Sequence, residues 1–111
     1  MLHVWREAHL QCVRSHDLDL TSRQMSVLLS VYMTDPPHTV RGLAALLNVT
    51  KPVITRALDT MGHQGLVKRK RDEADKRSVL VQRTVKGAVY LSELSDRIVE
   101  ADKSVPEQIL S

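Results

Sequence analysis

The sequence predicts a mainly α-helical domain carrying one small β-hairpin, and three observations predict it. Apolar residues recur at helical spacing through most of the chain. Only between Leu66 and Arg83 does the pattern alternate residue by residue, in two short stretches divided by a polar tip. Residues suited to starting and stopping helices punctuate the helical stretches at matching places. The length of 111 residues fits one domain, and an apolar fraction of 42% is enough to fill a core.

The first helix is expected from Leu2 to His16, where Val4, Ala8 and Cys12 recur at helical spacing. Asp17-Leu18-Asp19 interrupts it. A second helix opens at Thr21, with Gln24 completing a capping box and Leu20 and Met25 placed for a hydrophobic staple. Met25, Leu28, Leu29 and Tyr32 form its expected apolar stripe, and Asp35-Pro36-Pro37 ends it. Thr39 caps a short helix from Val40 to Leu47. Asn48 follows, a residue that tolerates the left-handed backbone of a tight turn. Thr50 is the expected cap of a fourth helix, with Pro52 in its first turn, where a missing N–H costs little. Val53, Ile54, Ala57, Leu58 and Met61 share one face of that helix, and Lys51, Thr55, Arg56, Asp59 and His63 share the other. Gly65 is its stop. Leu66–Arg71 and Ser78–Arg83 are expected strands around the tip Asp72-Glu73-Ala74-Asp75-Lys76-Arg77. Thr84 caps a long helix to about Lys103, with Ala88, Leu91, Leu94 and Ile98 as its stripe. Ser104 and Glu107, with Pro106, predict a last short helix.

Charge is distributed unevenly along this order. The net charge is +3, yet residues 41–83 hold ten Lys or Arg against four acids. The flanks hold three against four before that block and three against five after it. A concentrated positive block is the electrostatic footprint of a nucleic-acid binder, although a solvated charged face has the same composition. Aromatic residues are only 3% of the chain, with no Phe. Single-strand and RNA modules stack bases on aromatic platforms, so duplex DNA is the better match. No apolar run approaches the roughly 20 residues of a spanning helix. Polar residues interrupt the N-terminus too early for a secretory signal, so a cytoplasmic location is expected. The single cysteine, Cys12, excludes an internal disulfide and fits a reducing compartment.

Two helices joined by a short turn, the second polar and basic on its outside, make a helix-turn-helix, and the hairpin that follows makes it a winged one. The second helix, 50–63, then presents Lys51, Pro52, Thr55 and Arg56 near its N-terminus, where free N–H groups and the helix dipole suit phosphate. Thr39 and Thr50, as cap residues at the two helix starts, join the candidate DNA-binding set. Arg can read guanine, and Thr can touch a thymine methyl or a phosphate. On the wing, 66–83, Lys68, Arg69, Lys70 and Arg71 crowd the first strand while Lys76 and Arg77 sit at the tip. A loop bearing Arg can enter the minor groove, where the potential is most negative. Asp72 and Asp75 are candidates to support that tip by ion pairing, or simply to offset its charge.

The chain resembles the MarR family of bacterial regulators over about residues 20–90. The resemblance runs through Leu20-Thr21-Ser22-Arg23-Gln24, Val40-Arg41-Gly42-Leu43-Ala44, Val53-Ile54-Thr55-Arg56-Ala57-Leu58-Asp59 and Gly65-Leu66-Val67-Lys68-Arg69. It continues through Asp72-Glu73-Ala74-Asp75-Lys76-Arg77 to Arg83-Thr84-Val85-Lys86-Gly87. It implies a winged helix-turn-helix with flanking dimerisation helices: 20–83 as helix-turn-helix and wing, 1–17 and 84–111 as the dimerising segments of a single domain. It also implies that Thr55 and Arg56 occupy recognition-helix positions and that Arg77 matches the wing arginine. Gly62 stands where the family usually has Glu, Arg83 where it usually has Leu, and both terminal helical regions are short for the family.

The function expected is a sequence-specific duplex-DNA-binding regulator, a homodimeric repressor, with room for a small-molecule effector beside the dimer interface. A winged helix used only for protein–protein interaction is the alternative, since a fold does not dictate a function. Cys12 is a candidate redox-sensing thiol, but reactive thiols need a lowered pKa and access, and an inert cysteine on a dimer-facing helix is the simpler reading. His9 and His16 could share a helical face, but no Cys or carboxylate cluster joins them at ligand spacing, so no metal or other cofactor is expected. Met25, Met33 and Met61 read as core filling. No nucleophile–base pair, phosphate loop or paired carboxylate stands out, so enzyme activity is not expected.

Overall fold

A computed structural model describes residues 1–14 and 18–104 of the chain. It divides into two units, one of residues 20–88 and one of residues 1–19 and 89–111. The elements in chain order are α1 (Leu2–Arg14), α2 (Ser22–Met33), β1 (His38–Thr39), α3 (Val40–Leu47), α4 (Lys51–His63), β2 (Val67–Arg71), β3 (Val79–Arg83) and α5 (Val85–Ser104). Ser104 ends α5, and the rest of the expected last helix, with Pro106 and Glu107, and the end of the first helix at His16 fall outside the described residues.

In the unit of residues 20–88, the caps explain where the helices begin and end. Thr21 and Gln24 form the reciprocal box, with Gln24 N–H donating to Thr21 Oγ1 at 3.1 Å and Thr21 N–H donating to Gln24 Oε1 at 2.9 Å. Thr39 Oγ1 accepts from Gly42 N–H at 2.9 Å and so starts α3. Asn48 is left-handed at φ 56°, and behind it Val49 N–H donates to Ala44 O at 3.0 Å and Asn48 N–H to Ala45 O at 3.2 Å. Gly65 repeats this arrangement at φ 77°, with Leu66 N–H on Met61 O at 2.9 Å and Gly65 N–H on Gly62 O at 3.0 Å. Both are Schellman stops, which satisfy carbonyls that the helix end leaves free. Thr50 departs from expectation: its backbone is extended, as a cap requires, but its hydroxyl makes no capping bond.

The core of this unit is built from Val27, Leu28 and Val31 of α2, Leu43 and Ala44 of α3, Ile54, Ala57, Leu58 and Met61 of α4, and Leu66, Val67 and Val81 at the base of the hairpin. Four expected core residues are corrected: Ala88 of the α5 stripe is exposed, Met33, expected as core filling, is 75% exposed at the end of α2, and Leu29 and Ile98 also face outward. Leu29 is 39% exposed and Ile98, in the other unit, 43% exposed. In α2 the buried face is centred on Val27, Leu28 and Val31, which rotates Leu29 outward.

The hairpin is part of a three-stranded antiparallel sheet in the order β1-β3-β2. His38 pairs with Val81 and Thr39 with Leu80, a strand that the sequence reading assigned to a loop and a cap. Two residues leave no alternation to detect, and their partner lies some forty residues away. The base of the hairpin is locked by Tyr32, whose hydroxyl donates to Leu66 O at 2.6 Å and accepts from Thr84 N–H at 2.8 Å. Thr84 Oγ1 donates to Gly65 O at 2.7 Å and accepts from Gly87 N–H at 2.9 Å, which caps α5 as the sequence predicts. Gly87 is required there, because a Cβ would collide with Tyr32 Oη and the Leu66 carbonyl.

In the other unit, Val4 and Ala8 of α1 form a buried cluster with Ala101 of α5. Leu2, Trp5 and Val13 of α1 and Val89, Ile98 and Val99 of α5 are exposed apolar residues of that unit. Trp5 stacks at a tilt on His9, ring centroids 4.7 Å apart. None of the described helices is long and apolar enough to cross a membrane.

Candidate nucleic-acid interface

The burial of Ile54, Ala57, Leu58 and Met61 fixes the rotation of α4 about its axis. Lys51, Pro52, Arg56 and Asp59 are therefore exposed, and Thr55 is half-buried at the edge of the packed face. The Schellman stop at Asn48 makes the α3–α4 turn short, so α3 braces α4 through Leu43 and Ala44 while that polar face stays open.

Strand register sorts the cations of the wing. Arg69 pairs with Val81 and Arg71 with Val79, so both lie on the ribbon face that carries buried Val67 and Val81. Lys68, opposite Gln82, and Lys70, opposite Leu80, lie on the other face. Arg69 reaches α4, where its Nη2 donates to Asp59 Oδ1 at 2.6 Å. That charge-assisted bond ties the first wing strand to the exposed face of the helix. Asp59 was not among the expected site residues. Its signal in the sequence is a single acid among the cations of an outward-facing stripe.

At the tip, the two acids divide the work of shaping the turn. Asp72 Oδ1 accepts from Ala74 N–H at 2.9 Å. Asp75 Oδ1 accepts from Arg77 N–H at 3.1 Å and lies 3.5 Å from Arg77 Nε, while Asp75 Oδ2 accepts from Ser78 Oγ at 3.3 Å. The ion pair expected of the tip is thus made by Asp75, and Asp72 acts on the backbone. The Arg77 side chain remains 88% exposed.

Thr55 and Arg56 point to opposite flanks of α4. Thr55 joins Lys51, Arg69, Arg77, Thr39 and Arg41 around a groove of about 260 Å³ between the helix-turn-helix and the wing. Arg56 lines a separate shallow cleft with Arg23, Thr21 and Gln24 at the start of α2. Thr50 and Pro52 are exposed at the first turn of α4, and Lys76 is exposed at the wing tip. Arg41 was missed because nothing local marks an arginine in the first turn of α3 as facing the wing.

Arg83 was also missed as a structural residue. Its Nε donates to Val31 O at 2.9 Å and its Nη2 to Thr34 O at 2.8 Å, with the guanidinium 5.9 Å from the Tyr32 ring centre. It therefore satisfies carbonyls at the end of α2, a role that a cation near a helix C-terminus is suited to fill. Cys12, half-buried on α1, belongs to the other unit. Among the described residues no group of His, Cys, Asp and Glu could hold a metal ion.

Comparison with known proteins agrees with this architecture. The MarR family model matches residues 20–79, more than half of the chain. A MepR–DNA complex from S. aureus is similar with a TM-score of 0.79 at 21% identity, over 97% of this chain and 85% of that one. At that identity the likeness bears on the fold alone. CouR, a transcriptional repressor bound to a 23-mer DNA duplex, is similar at 30% identity with a TM-score of 0.71, over 88% of this chain and 66% of that one. BldR, a transcriptional regulator from Sulfolobus solfataricus, is similar at 32% identity with a TM-score of 0.62, over 79% and 65%. With its helix-turn-helix, three-stranded wing sheet and family match, the chain belongs to the MarR family of transcription regulators.

Proposed function

We propose that this protein is a sequence-specific repressor that binds duplex DNA as a homodimer, with α4 in the major groove and the wing at the minor groove. The observation that carries this reading is the shared exposure of Lys51 and Arg56 on α4, with a cationic wing tied to the same helix through Arg69 and Asp59. The relatives support it: MepR is seen in complex with DNA, and CouR is a repressor on a duplex. Lys51 and Lys68 supply affinity through phosphates, while Thr55 and Arg56 select sequence. Arg77 at the tip meets the minor groove, and Lys70, Arg71 and Lys76 add to the attraction along the ribbon.

Dimerisation is assigned to residues 1–17 and 84–111. Leu2, Trp5 and Val13 on α1 and Val89, Ile98 and Val99 on α5 are apolar and exposed, and covering them with a second copy removes apolar surface from water. A two-fold dimer places its recognition helices roughly 34 Å apart on a pseudo-palindromic site. Such a regulator works in the cytoplasm, where the chromosome lies.

The test is a fluorescence titration of labelled duplexes across a salt series, on a site first recovered by selection from random-sequence DNA. Arg56→Ala is expected to cost about 1–3 kcal/mol on the selected site and to relax its selectivity. Arg77→Ala is expected to flatten the salt slope by about one unit. Unchanged affinity and selectivity for the first variant, or an unchanged slope for the second, removes that residue from the contact surface. A non-palindromic consensus removes the symmetric dimer.

A further inference from the structure

We infer that the outer edge of β2, with the hollow between it and α4, is a docking site for an acidic segment of another protein, which joins the wing sheet as a fourth strand. The sheet order β1-β3-β2 leaves β2 with no neighbour on its far side among the described residues. Asp72 N–H donates to Ser78 O at 3.1 Å, which sets the alternation of the hairpin ladder. In that register Lys68 and Lys70 turn their backbone groups toward Gln82 and Leu80, and Val67, Arg69 and Arg71 turn theirs to the outer edge. Such an edge is a row of donors and acceptors that an extended chain can pair with. Between it and α4 lies a hollow of about 400 Å³, to which α4 gives Leu58, Gly62 and His63 and β2 gives Val67 and Lys68. Leu58 and Val67 are buried and make part of its lining apolar, and nothing lies within 4 Å of where a Gly62 Cβ would stand.

The charge of the strand selects the occupant. Residues 68–71 are four consecutive cations, and Lys68, Lys70 and Arg71 have no ion pair among the described residues. Asp59, the one carboxylate lining the hollow, is engaged by Arg69. Cations along an edge strand repel a second copy of the same edge and attract an acidic strand laid against them. The pleat then sorts the side chains of the added strand: acids on the face of Lys68 and Lys70, and an apolar residue on the face of Val67, at the hollow. Duplex DNA can answer the lysines, but its phosphates only accept hydrogen bonds and leave the edge carbonyls without donors. A polypeptide strand supplies donors and acceptors alternately.

The experiment uses the full-length protein and a fluorescent peptide of about eight residues that alternates Glu with Val, long enough to cover β2. Two further peptides carry N-methyl groups on all Glu or on all Val residues, which removes backbone donors and leaves the charge intact. An edge strand bonds through alternate residues only, so one methylated peptide should bind as the parent does and the other about tenfold more weakly. Gly62→Leu, which fills the hollow, should weaken the parent peptide by about the same factor while keeping the far-ultraviolet circular dichroism of the protein. Amide hydrogen exchange read by NMR needs no variant: the peptide should slow exchange at Arg69 and Arg71 and leave Lys68 and Lys70, already bonded to β3, as they were. Absence of binding, equal affinity for the two methylated peptides, or unslowed amides at Arg69 and Arg71 overturns the assignment. A folded Gly62→Leu protein that binds the peptide like the parent also overturns it. A mixed-sequence duplex that slows the same two amides gives the edge to nucleic acid instead, and overturns it as well.

Discussion

Removing the Tyr32 hydroxyl isolates the lock at the base of the wing. In Tyr32→Phe the ring is kept and only the oxygen is lost. That oxygen serves three backbone groups: it donates to Leu66 O at 2.6 Å, lies 3.2 Å from Thr84 O, and accepts from Thr84 N–H at 2.8 Å. The Thr84 N–H and the Leu66 carbonyl are then left without the partner they have here. Leu66 is fully buried, so water does not readily replace the lost bond. Leaving a buried donor or acceptor unsatisfied costs about 1–3 kcal/mol, which places the variant about 2–3 kcal/mol below the parent once overlap between the two losses is allowed for. For a domain of this size that corresponds to a fall in Tm of roughly 10–20 °C. Urea denaturation followed by circular dichroism reads it as a lower midpoint with an unchanged m-value. A loss under about 0.5 kcal/mol would mean that these groups are satisfied otherwise, and the lock would not exist.

Two further predictions concern Arg83 and Gly62. Arg83→Met keeps the aliphatic stem but removes both donors from the α2 carbonyls of Val31 and Thr34, and is expected to destabilise by about 1–2 kcal/mol in the same urea assay; an unchanged midpoint refutes the capping role. Gly62 lies inside α4 with nothing within 4 Å of the place a Cβ would occupy, so Gly62→Ala should stabilise by about 0.5–1 kcal/mol in thermal unfolding; destabilisation would show that the space is not open.

Most of the fold was legible because it is written in local chemistry. The Thr21–Gln24 box, the Thr39 cap, the left-handed Asn48 and Gly65, and Pro52 at a helix start are each decided by a few neighbouring residues. The alternation of β2 and β3 was visible for the same reason. What escaped depends on partners distant in sequence. β1 exists only because Val81 and Leu80 lie beside it. Arg83 gains its role from carbonyls of α2, and Arg41 faces the wing only once α3 and the hairpin are folded together. The wing acids were expected either to ion-pair with the tip arginine or to offset its charge, but a carboxylate two residues before a backbone N–H can hold a turn instead, as Asp72 does. Leu29 had the spacing of a core residue and the wrong rotation, because stripe-reading fixes a helical face only to within about one position.

Thr39 occupies two structures at once: it is the last residue of β1, paired with Leu80 of the wing, and the residue whose hydroxyl opens α3. The hairpin and the helix-turn-helix therefore share this residue. On the proposed mode of binding, a duplex whose minor groove is too narrow or too wide for the ribbon is not accommodated by bending the ribbon alone. The misfit is carried through Thr39 into the seating of α3 and the helix it braces. If the ribbon meets the minor groove as proposed, groove width and base identity become coupled inputs to one structure, and DNA stiffness at uncontacted steps enters the choice of site.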